Sequence, residues 1–505
     1  MAQDVMIGLD VGSTSVKAGL LGPDGVMLSG FRAPYPTARP QHNWVEQDPD
    51  DWTRLIDQAM ARFAATGLAA RVGAIGLTSQ VNTHVFVDAA GRALMPAILW
   101  QDGRAADQAR LLDGQITPAQ KQKWWGAPMP LDASHPLARM LWVAQNRPDV
   151  WQQTAWVLLP KDYCILKLTG AVCADPVSNF GLVDQGLSYI AELLALVPGA
   201  SDRVAPLRPI TSVVGQVTVA GPFRGKPVVL GTMDAWTGLL GAGGTVEGAG
   251  VYLSGTSEIL GVTSQKVVPT PGIVVFPECA GLRIHAGPTQ SGGAAQSWFC
   301  QTFGLNSAAM AALAASSDPD RPAPVFLPHL QGERAPLWNP DLRAAFLGID
   351  AQTNLADLAR AVYEGVAFSA RLVLERLEQS AARRNDLLNC GGGGFQTDLW
   401  NQIRADVLGR GLRRLSVTDP GLVGAAATAA CGIGLFPDLA SACGQIARYD
   451  VTYAPDPARQ ARYNDLFALF QDAIAANASF NARLVALTAK GATPGVSTPL
   501  PDKSS

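Results

Sequence analysis

The sequence carries no excess charge of either sign. Its 39 basic and 42 acidic side chains leave a formal net charge of −3 in 505 residues. That balance provides no electrostatic footprint for nucleic acid or an anionic membrane surface. Cysteine is sparse: there are seven, an odd number, and no C-x-x-C, so neither a disulfide framework nor a zinc knuckle is indicated. They read as reduced, buried thiols of a reducing compartment, and the expected location is cytoplasmic. The five histidines include no H-E-x-x-H and no close pair. The opening residues lack the basic and apolar regions of a signal peptide. The longest charge-free apolar stretch, Gly421 to Phe436, is shorter than the roughly 20 residues a membrane span needs and reads as a tightly packed interior helix. Glycine is frequent at 51, but no G-x-y period accompanies it, which excludes collagen, and no G-K-[ST] occurs, which excludes a Walker A loop.

A composition 48% hydrophobic and 16% charged is that of a folded chain, and 505 residues exceed one ordinary core. Strand and helix patterns alternate, which predicts an α/β fold. Val5 to Asp10, Val16 to Leu21 and Val26 to Phe31 read as a meander around a polar turn, Gly12 to Ser15. Asp51 to Thr66 has apolar residues at helical spacing, and short strands are predicted at Val72 to Leu77 and Thr83 to Asp88. Beyond the glycine-rich break at Gly241 to Thr245 the opening pattern returns: strand Gly250 to Ser254, turn Gly255 to Ser257, strand Glu258 to Thr263. This weak repeat implies two related halves, 1–245 and 246–490. Helices are expected at Leu355 to Ser380, about Asp398 to Gly409, and Ala458 to Lys490. The Thr/Pro/Ser-rich end, 491–505, reads as a disordered tail.

Four segments carry chemistry. In Leu9-Asp-Val-Gly-Ser-Thr-Ser-Val-Lys17 a carboxylate ends a strand and small hydroxyl residues fill the turn. Backbone N–H groups there can approach a phosphate closely, Lys17 can neutralise its charge, and Asp10 can hold Mg²⁺ through water; a plain polar hairpin is the competing reading. Ser254-Gly-Thr-Ser257 repeats the pattern in the second half. Asn389-Cys-Gly-Gly-Gly-Gly-Phe-Gln-Thr397 precedes a helix and lets a nucleotide lie on bare backbone, unless it is only a linker. In Gly231-Thr-Met-Asp-Ala-Trp-Thr-Gly238, Asp234 is either a general base or a helix N-cap.

Together and in this order, these segments resemble the FGGY carbohydrate kinases, most closely the xylulokinase-like members. Ile98-Leu-Trp-Gln-Asp-Gly-Arg104, Leu158-Leu-Pro-Lys-Asp-Tyr163, Leu327-Pro-His-Leu-Gln-Gly-Glu-Arg-Ala-Pro336 and Phe346-Leu-Gly-Ile349 extend the likeness over roughly residues 5 to 450. The resemblance implies two actin-like (ribonuclease H-like) domains flanking a deep catalytic cleft. The first would hold the sugar and the second ATP. Ser13, Thr14, Ser15 and Lys17 then match the first phosphate loop, and Gly255 and Thr256 the second. Gly292 and Gln296 match positions near the nucleotide, and Gly393 and Thr397 the adenosine loop. Asp10 matches the Mg²⁺-side aspartate and Asp234 the catalytic base. The sugar side is expected at Gln80, Val81, Asn82, Trp100 and Asp234.

The departures lie on that sugar side. Val81 and Asn82, in Gly76-Leu-Thr-Ser-Gln-Val-Asn82, replace the Met-His pair usual in xylulokinase-like members. The Arg-Glu pair of glycerol kinases is also absent. Ala235-Trp236 follow the aspartate where Asn or Gln is common. His84 is a candidate for a lost hydroxyl contact or a structural strand histidine, and Trp100 and Trp236 are candidates to stack on a sugar or to sit in the core. The implied activity is ATP- and Mg²⁺-dependent phosphorylation of a small sugar, with D-xylulose, giving D-xylulose 5-phosphate, as the best substrate. Another ketopentose or a polyol such as erythritol or a pentitol is the alternative. An actin- or chaperone-like ATPase and a non-catalytic sugar sensor are the rivals from other classes. No nucleic-acid or membrane partner is expected, and a homodimer is the candidate assembly.

Overall fold

A computed structural model describes residues 4–126, 129–321 and 324–491. The first half opens as the meander: β1 (Val5–Val11), β2 (Ser15–Leu21) and β3 (Met27–Pro34), each antiparallel to the next. Every residue of β1 is buried, as an apolar strand covered on both faces must be. Helix α1 (Pro49–Ala64) starts where Asp48 accepts the Asp50 N–H and Pro49 needs no donor partner. Its inward stripe is Trp52, Leu55, Ile56, Ala59 and Phe63. Burying each large side chain of that set stabilises the half by roughly 1.5–3 kcal/mol.

β4 (Val72–Ser79) then pairs parallel to β1, with Asp10 opposite Thr78. After α2 (Pro160–Thr169), β5 (Val213–Gln216) and β6 (Pro227–Met233) complete a six-stranded sheet of order β3-β2-β1-β4-β6-β5. The expected strand at Thr83 to Asp88 is present as Val85–Val87, but it pairs with Trp156–Leu158 outside this sheet. α3 (Asp234–Gly241) follows β6 without a loop.

The second half repeats the plan. β7 (Gly250–Ser254) and β8 (Glu258–Thr263) form an antiparallel hairpin; β9 (Val274–Val275) and β10 (Ile284–Pro288) extend it. α4 (Gly293–Phe303) and α5 (Leu355–Ser380) precede β11 (Leu387–Gly391), which pairs parallel to β7 as β4 does to β1. α6 (Asp398–Leu408), β12 (Gly411–Leu415), α7 (Pro420–Gly432), β13 (Tyr449–Tyr453) and α8 (Pro457–Gly491) complete it. The order is β9-β10-β8-β7-β11-β12-β13. α5 spans the predicted residues because Asn354 and Asp357 form a capping box at its start. The sequence repeat is thus one hairpin per sheet, each beside a parallel strand, which is the actin-like (ribonuclease H-like) pattern. Of the predicted disordered tail, Gly491 is the last residue of α8 and 492–505 lie outside the described residues.

α7 is the interior helix expected from its Gly/Ala run, and it joins the halves. Although it belongs to the second half, it packs on β1, β4 and α3 of the first. Glycines permit the close approach: a Cβ at Gly76 would strike the Ala425 carbonyl, and one at Gly424 the Thr237 carbonyl. The packing brings the N-terminus of α7 to the C-terminal end of β1, so that Gly421 lies against the Asp10 carboxylate.

Candidate active site

Asp10 ends β1 and Lys17 lies directly opposite it on β2. Lys17 Nζ reaches Asp10 Oδ2 at 3.3 Å and Asp419 Oδ1 at 2.9 Å. Asp419 is the residue before α7, so this ion bridge crosses from one half to the other. Burial pulls the lysine down, but the two carboxylates outweigh it and raise its pKa to about 12. Sequence reasoning aimed Lys17 at phosphate; the fold places it between two carboxylates. Burial raises the Asp10 pKa against the pull of Lys17, and Asp10 Oδ1 is buried without a partner.

Asp234 is the first residue of α3, immediately after β6, at the positive end of that helix. It is half-buried, and its Oδ1 accepts the Ala235 N–H at 2.7 Å. The cap position itself belongs to Met233, so Asp234 is not the N-cap that was the alternative reading. Burial, then repulsion from Asp10, pushes its carboxyl up to about 7, while the Ala235 N–H, Lys17 and Arg334 pull the other way. A carboxylate that changes charge near neutrality can accept a proton and release it again. The strand before it is held by three contacts. The Thr232 carbonyl accepts Thr78 Oγ1 at 2.7 Å and Thr237 Oγ1 at 3.1 Å, and Thr232 Oγ1 donates to Asp175 at 2.7 Å. Asp175 in turn pairs with buried Lys161 at 2.7 Å.

The first turn is tethered from the sugar side. Trp100 Nε1 donates to Ser13 Oγ at 2.9 Å, and Gln47 Nε2 donates to the Ser13 carbonyl at 2.8 Å. Gln80 is buried and joins this ring, donating to Gln47 at 3.1 Å and accepting from Thr83 at 3.1 Å. Trp100 closes it through its backbone N–H on Thr83 at 3.3 Å. Thr14 is exposed, whereas Ser15 is buried with an unpartnered hydroxyl. Val81 is half-buried. Asn82 sits in left-handed backbone at φ 53°, its side chain donating to Ser134 Oγ at 3.2 Å.

Two residues left with alternative readings take the structural one. His84 is buried 3.0 Å from Arg139 Nη1, and burial with that guanidinium lowers its pKa well below the usual range. It is a structural histidine. Trp236 is fully buried in the core under α3, not offered to a ligand. The charged residues of the 98–104 segment are structural as well. Arg104 pairs with Asp102 at 2.7 Å and Glu46 at 2.8 Å and stacks 3.7 Å from the Trp44 centroid, fixing the turn that carries Trp100.

In the second half Gly255 and Thr256 are exposed at the tip of the β7–β8 turn. Their carbonyls accept the N–H groups of Gly293 and Ala294, each at 2.9 Å, so Gly292 and the start of α4 are bound to this turn. Gln296, one turn along α4, donates to Tyr363 OH at 3.1 Å. Gly393 is exposed, and a Cβ there would meet open space. Thr397, half-buried, is the residue before α6. One buried guanidinium ties the two glycine turns together. Arg404 donates to Gly394 O at 2.7 Å, Ser254 Oγ at 2.9 Å and Glu258 Oε1 at 2.8 Å, and stacks 3.9 Å from the Trp400 centroid.

Asp419, Glu258, Arg404 and Arg334 are the residues sequence reasoning missed. Asp419 left a local signal, Asp-Pro-Gly before an apolar helix, and Arg334 lies in the Leu327 to Pro336 segment without a role read for it. The others act through segments distant in the chain.

Comparison with known proteins gives the family. The N-terminal domain pattern of the FGGY family of carbohydrate kinases matches residues 5–241, and its C-terminal domain pattern matches residues 250–433. The chain belongs to the FGGY family of carbohydrate kinases. A xylulose kinase of Klebsiella pneumoniae is 30% identical over 414 residues, covering 80% of this chain and 84% of that one. Two solved structures, both from Lactobacillus acidophilus, superpose equally well, each with a TM-score of 0.84. They are a ligand-bound xylulose kinase (23% identity) and a gluconate kinase (22%), each covering 95% of this chain and 99% of that one. The chain therefore shares its fold with both, and the backbone does not select a sugar. Kinases of this family are ATP-dependent phosphotransferases. Among the described residues no helix is long and apolar enough to cross a membrane.

Proposed function

We propose that the protein transfers the γ-phosphoryl group of ATP to the 5-hydroxyl of D-xylulose, with Asp234 as the base. What supports the chemistry is the place of Asp234: it is the first residue of α3, directly after β6, with its Oδ1 on the Ala235 N–H, where burial and the field of Asp10 raise its carboxyl to about 7. The substrate rests on the curated relative, a xylulose kinase. In this reading residues 1–245 hold the sugar and the first phosphate loop, and 246–490 hold the nucleotide on Gly255, Thr256, Gly292, Gln296, Gly393 and Thr397.

The step is a displacement at phosphorus. The acceptor oxygen forms a bond to the γ-phosphorus, the bond to the ADP oxygen breaks, and the acceptor proton passes to Asp234. Ser13, Thr14 and the 254–257 turn fix the phosphates, and alignment of acceptor and donor supplies much of the rate. The Ser13–Gln47–Gln80–Trp100 ring makes the sugar side and the phosphate turn one rigid unit.

Mg²⁺ fits the Asp10 side. Asp10 Oδ1 is a buried oxygen lacking a partner, as a carboxylate awaiting a hydrated cation would present. Among the described residues no group of three or more His, Cys, Asp or Glu forms a protein cage, and Mg²⁺ with nucleotide needs only one or two carboxylates. When bound, the ion neutralises charge on the ATP oxygens.

The test is ADP release from MgATP over a panel of D-xylulose, L-xylulose, D-ribulose, gluconate, erythritol and pentitols. A D-xylulose-dependent rate exceeding every other acceptor's by tenfold or more is expected. A higher rate with another acceptor would transfer the assignment to it, and ATP turnover that no acceptor stimulates would favour an actin-like ATPase.

A further inference from the structure

Transfer of a phosphoryl group needs a cation at the oxygens where charge develops. Lys17 is already shared between Asp10 and Asp419, at 3.3 and 2.9 Å. The other cation acting electrostatically on Asp234 comes from the second half: it is Arg334. Arg334 is half-buried, and one edge of its guanidinium is fixed, Nε and Nη2 both donating to the Thr289 carbonyl at 3.2 and 2.5 Å. Nη1 has no protein acceptor among the described residues, and no carboxylate lies within salt-bridge reach of the head group.

The mount is rigid and is bonded to the second phosphate turn. Buried Glu333 accepts the backbone N–H groups of Gln290 and, at 2.9 Å, Arg334. Its other oxygen lies 3.3 Å from His329 Nδ1 and 3.4 Å from Ser369 Oγ. The Ala335 N–H donates to the Pro288 carbonyl at 2.9 Å, so the 333–335 segment runs along the end of β10. Thr289, which anchors the guanidinium, bonds through its own backbone N–H to the Glu258 carbonyl at 2.9 Å, and its hydroxyl accepts the Glu258 N–H at 3.1 Å. A cation built into the base of a phosphate turn, with one amine left over and the proton acceptor of the other half in its field, is placed for an anion held between them.

We propose that Arg334 is a catalytic residue, donating from the second domain to the transferring phosphoryl group opposite Asp234. This rests on the reading of Asp234 as the base. Arginine suits the role because its planar fork can stay anchored on one edge and donate from the other, which lysine cannot do. An arginine supplied at this point in other phosphoryl-transfer enzymes contributes about 10³–10⁵ in rate.

The experiment is steady-state kinetics of the full chain with MgATP and D-xylulose, or the best acceptor of the panel, for wild type, Arg334→Ala, Arg334→Lys and Asp234→Asn. Arg334→Ala is expected to lose at least 10³-fold in kcat with the sugar KM within about threefold, and added guanidinium at millimolar concentration to restore at least tenfold of the loss. A merely structural arginine would not give that rescue. Arg334→Lys is expected to lose at least tenfold, and it decides the matter if the alanine variant does not fold. A kcat within fivefold of wild type in either folded variant, or a loss in Arg334→Ala that guanidinium does not relieve, overturns the proposal. Turnover retained by Asp234→Asn would instead overturn the base, leaving the Arg334 result to be read from its own rescue.

Discussion

Replacing Asp234 by Asn is expected to make the protein more stable and inactive at once. A carboxyl raised from the ordinary 3.8 to about 7 in the folded chain binds its proton more tightly folded than unfolded. Its contribution to stability is therefore complete below pH ~4 and is lost as pH rises from there to about 7. Above pH 7 the native state carries a penalty of up to about 4 kcal/mol, from a little over three pH units at ~1.4 kcal/mol each. Water reaching the half-buried group reduces this, so about 2 kcal/mol is the working figure. Asn keeps the acceptor for the Ala235 N–H while removing both the buried charge and the repulsion from Asp10. Thermal unfolding at pH 8.5 should rise by a few degrees in Asp234→Asn, and the two proteins should converge at pH 4. In wild type, kcat/KM should fall tenfold per pH unit below about 7. An equal or lower melting temperature for Asp234→Asn at pH 8.5, or an acid limb near pH 4, would refute the reasoning.

Three further outcomes follow from the same geometry. Lys17→Met leaves Asp10 and Asp419 facing each other without their shared cation; we expect a loss of about 3 kcal/mol, read by urea unfolding, and a pH-rate profile whose acid limb moves upward. Trp100→Phe removes the indole donor to Ser13; folding should lose only about 1 kcal/mol while kcat falls roughly tenfold, checked by kinetics alongside calorimetry. In the glycine turn, Gly393→Val should raise the KM for ATP with an unchanged melting temperature, because its Cβ meets open space, whereas Gly394→Ala should destabilise, because its Cβ strikes the Ser254 hydroxyl.

Much of the fold could be read locally. The α5 limits followed from a long helical pattern, and the β1–β2 and β7–β8 hairpins from apolar strands around Gly/Ser/Thr turns. The small-residue run of α7 announced close packing without saying against what. Its partner, the β1–β4 face of the other half, is a long-range fact, and so is the Lys17–Asp419 bridge that the packing creates. The same limit applies to His84 and Trp236. A strand histidine and an aromatic after an aspartate are chemically able to meet a sugar. Arg139, 55 residues from His84, and the core beneath α3 decide otherwise. The roles of Arg404 and Arg334 were out of reach for that reason too: a guanidinium's role depends on which turns it joins, and those turns lie 150 and 45 residues away at Ser254 and Thr289.

The most direct test of the account is a ³¹P NMR time course of MgATP with D-xylulose, wild type beside Asp234→Asn. The account predicts a phosphomonoester signal, coupled to a CH₂ group, growing one-for-one with ADP in wild type and absent in the variant. Inorganic phosphate as the only new signal, or the same monoester at the same rate from Asp234→Asn, would contradict it.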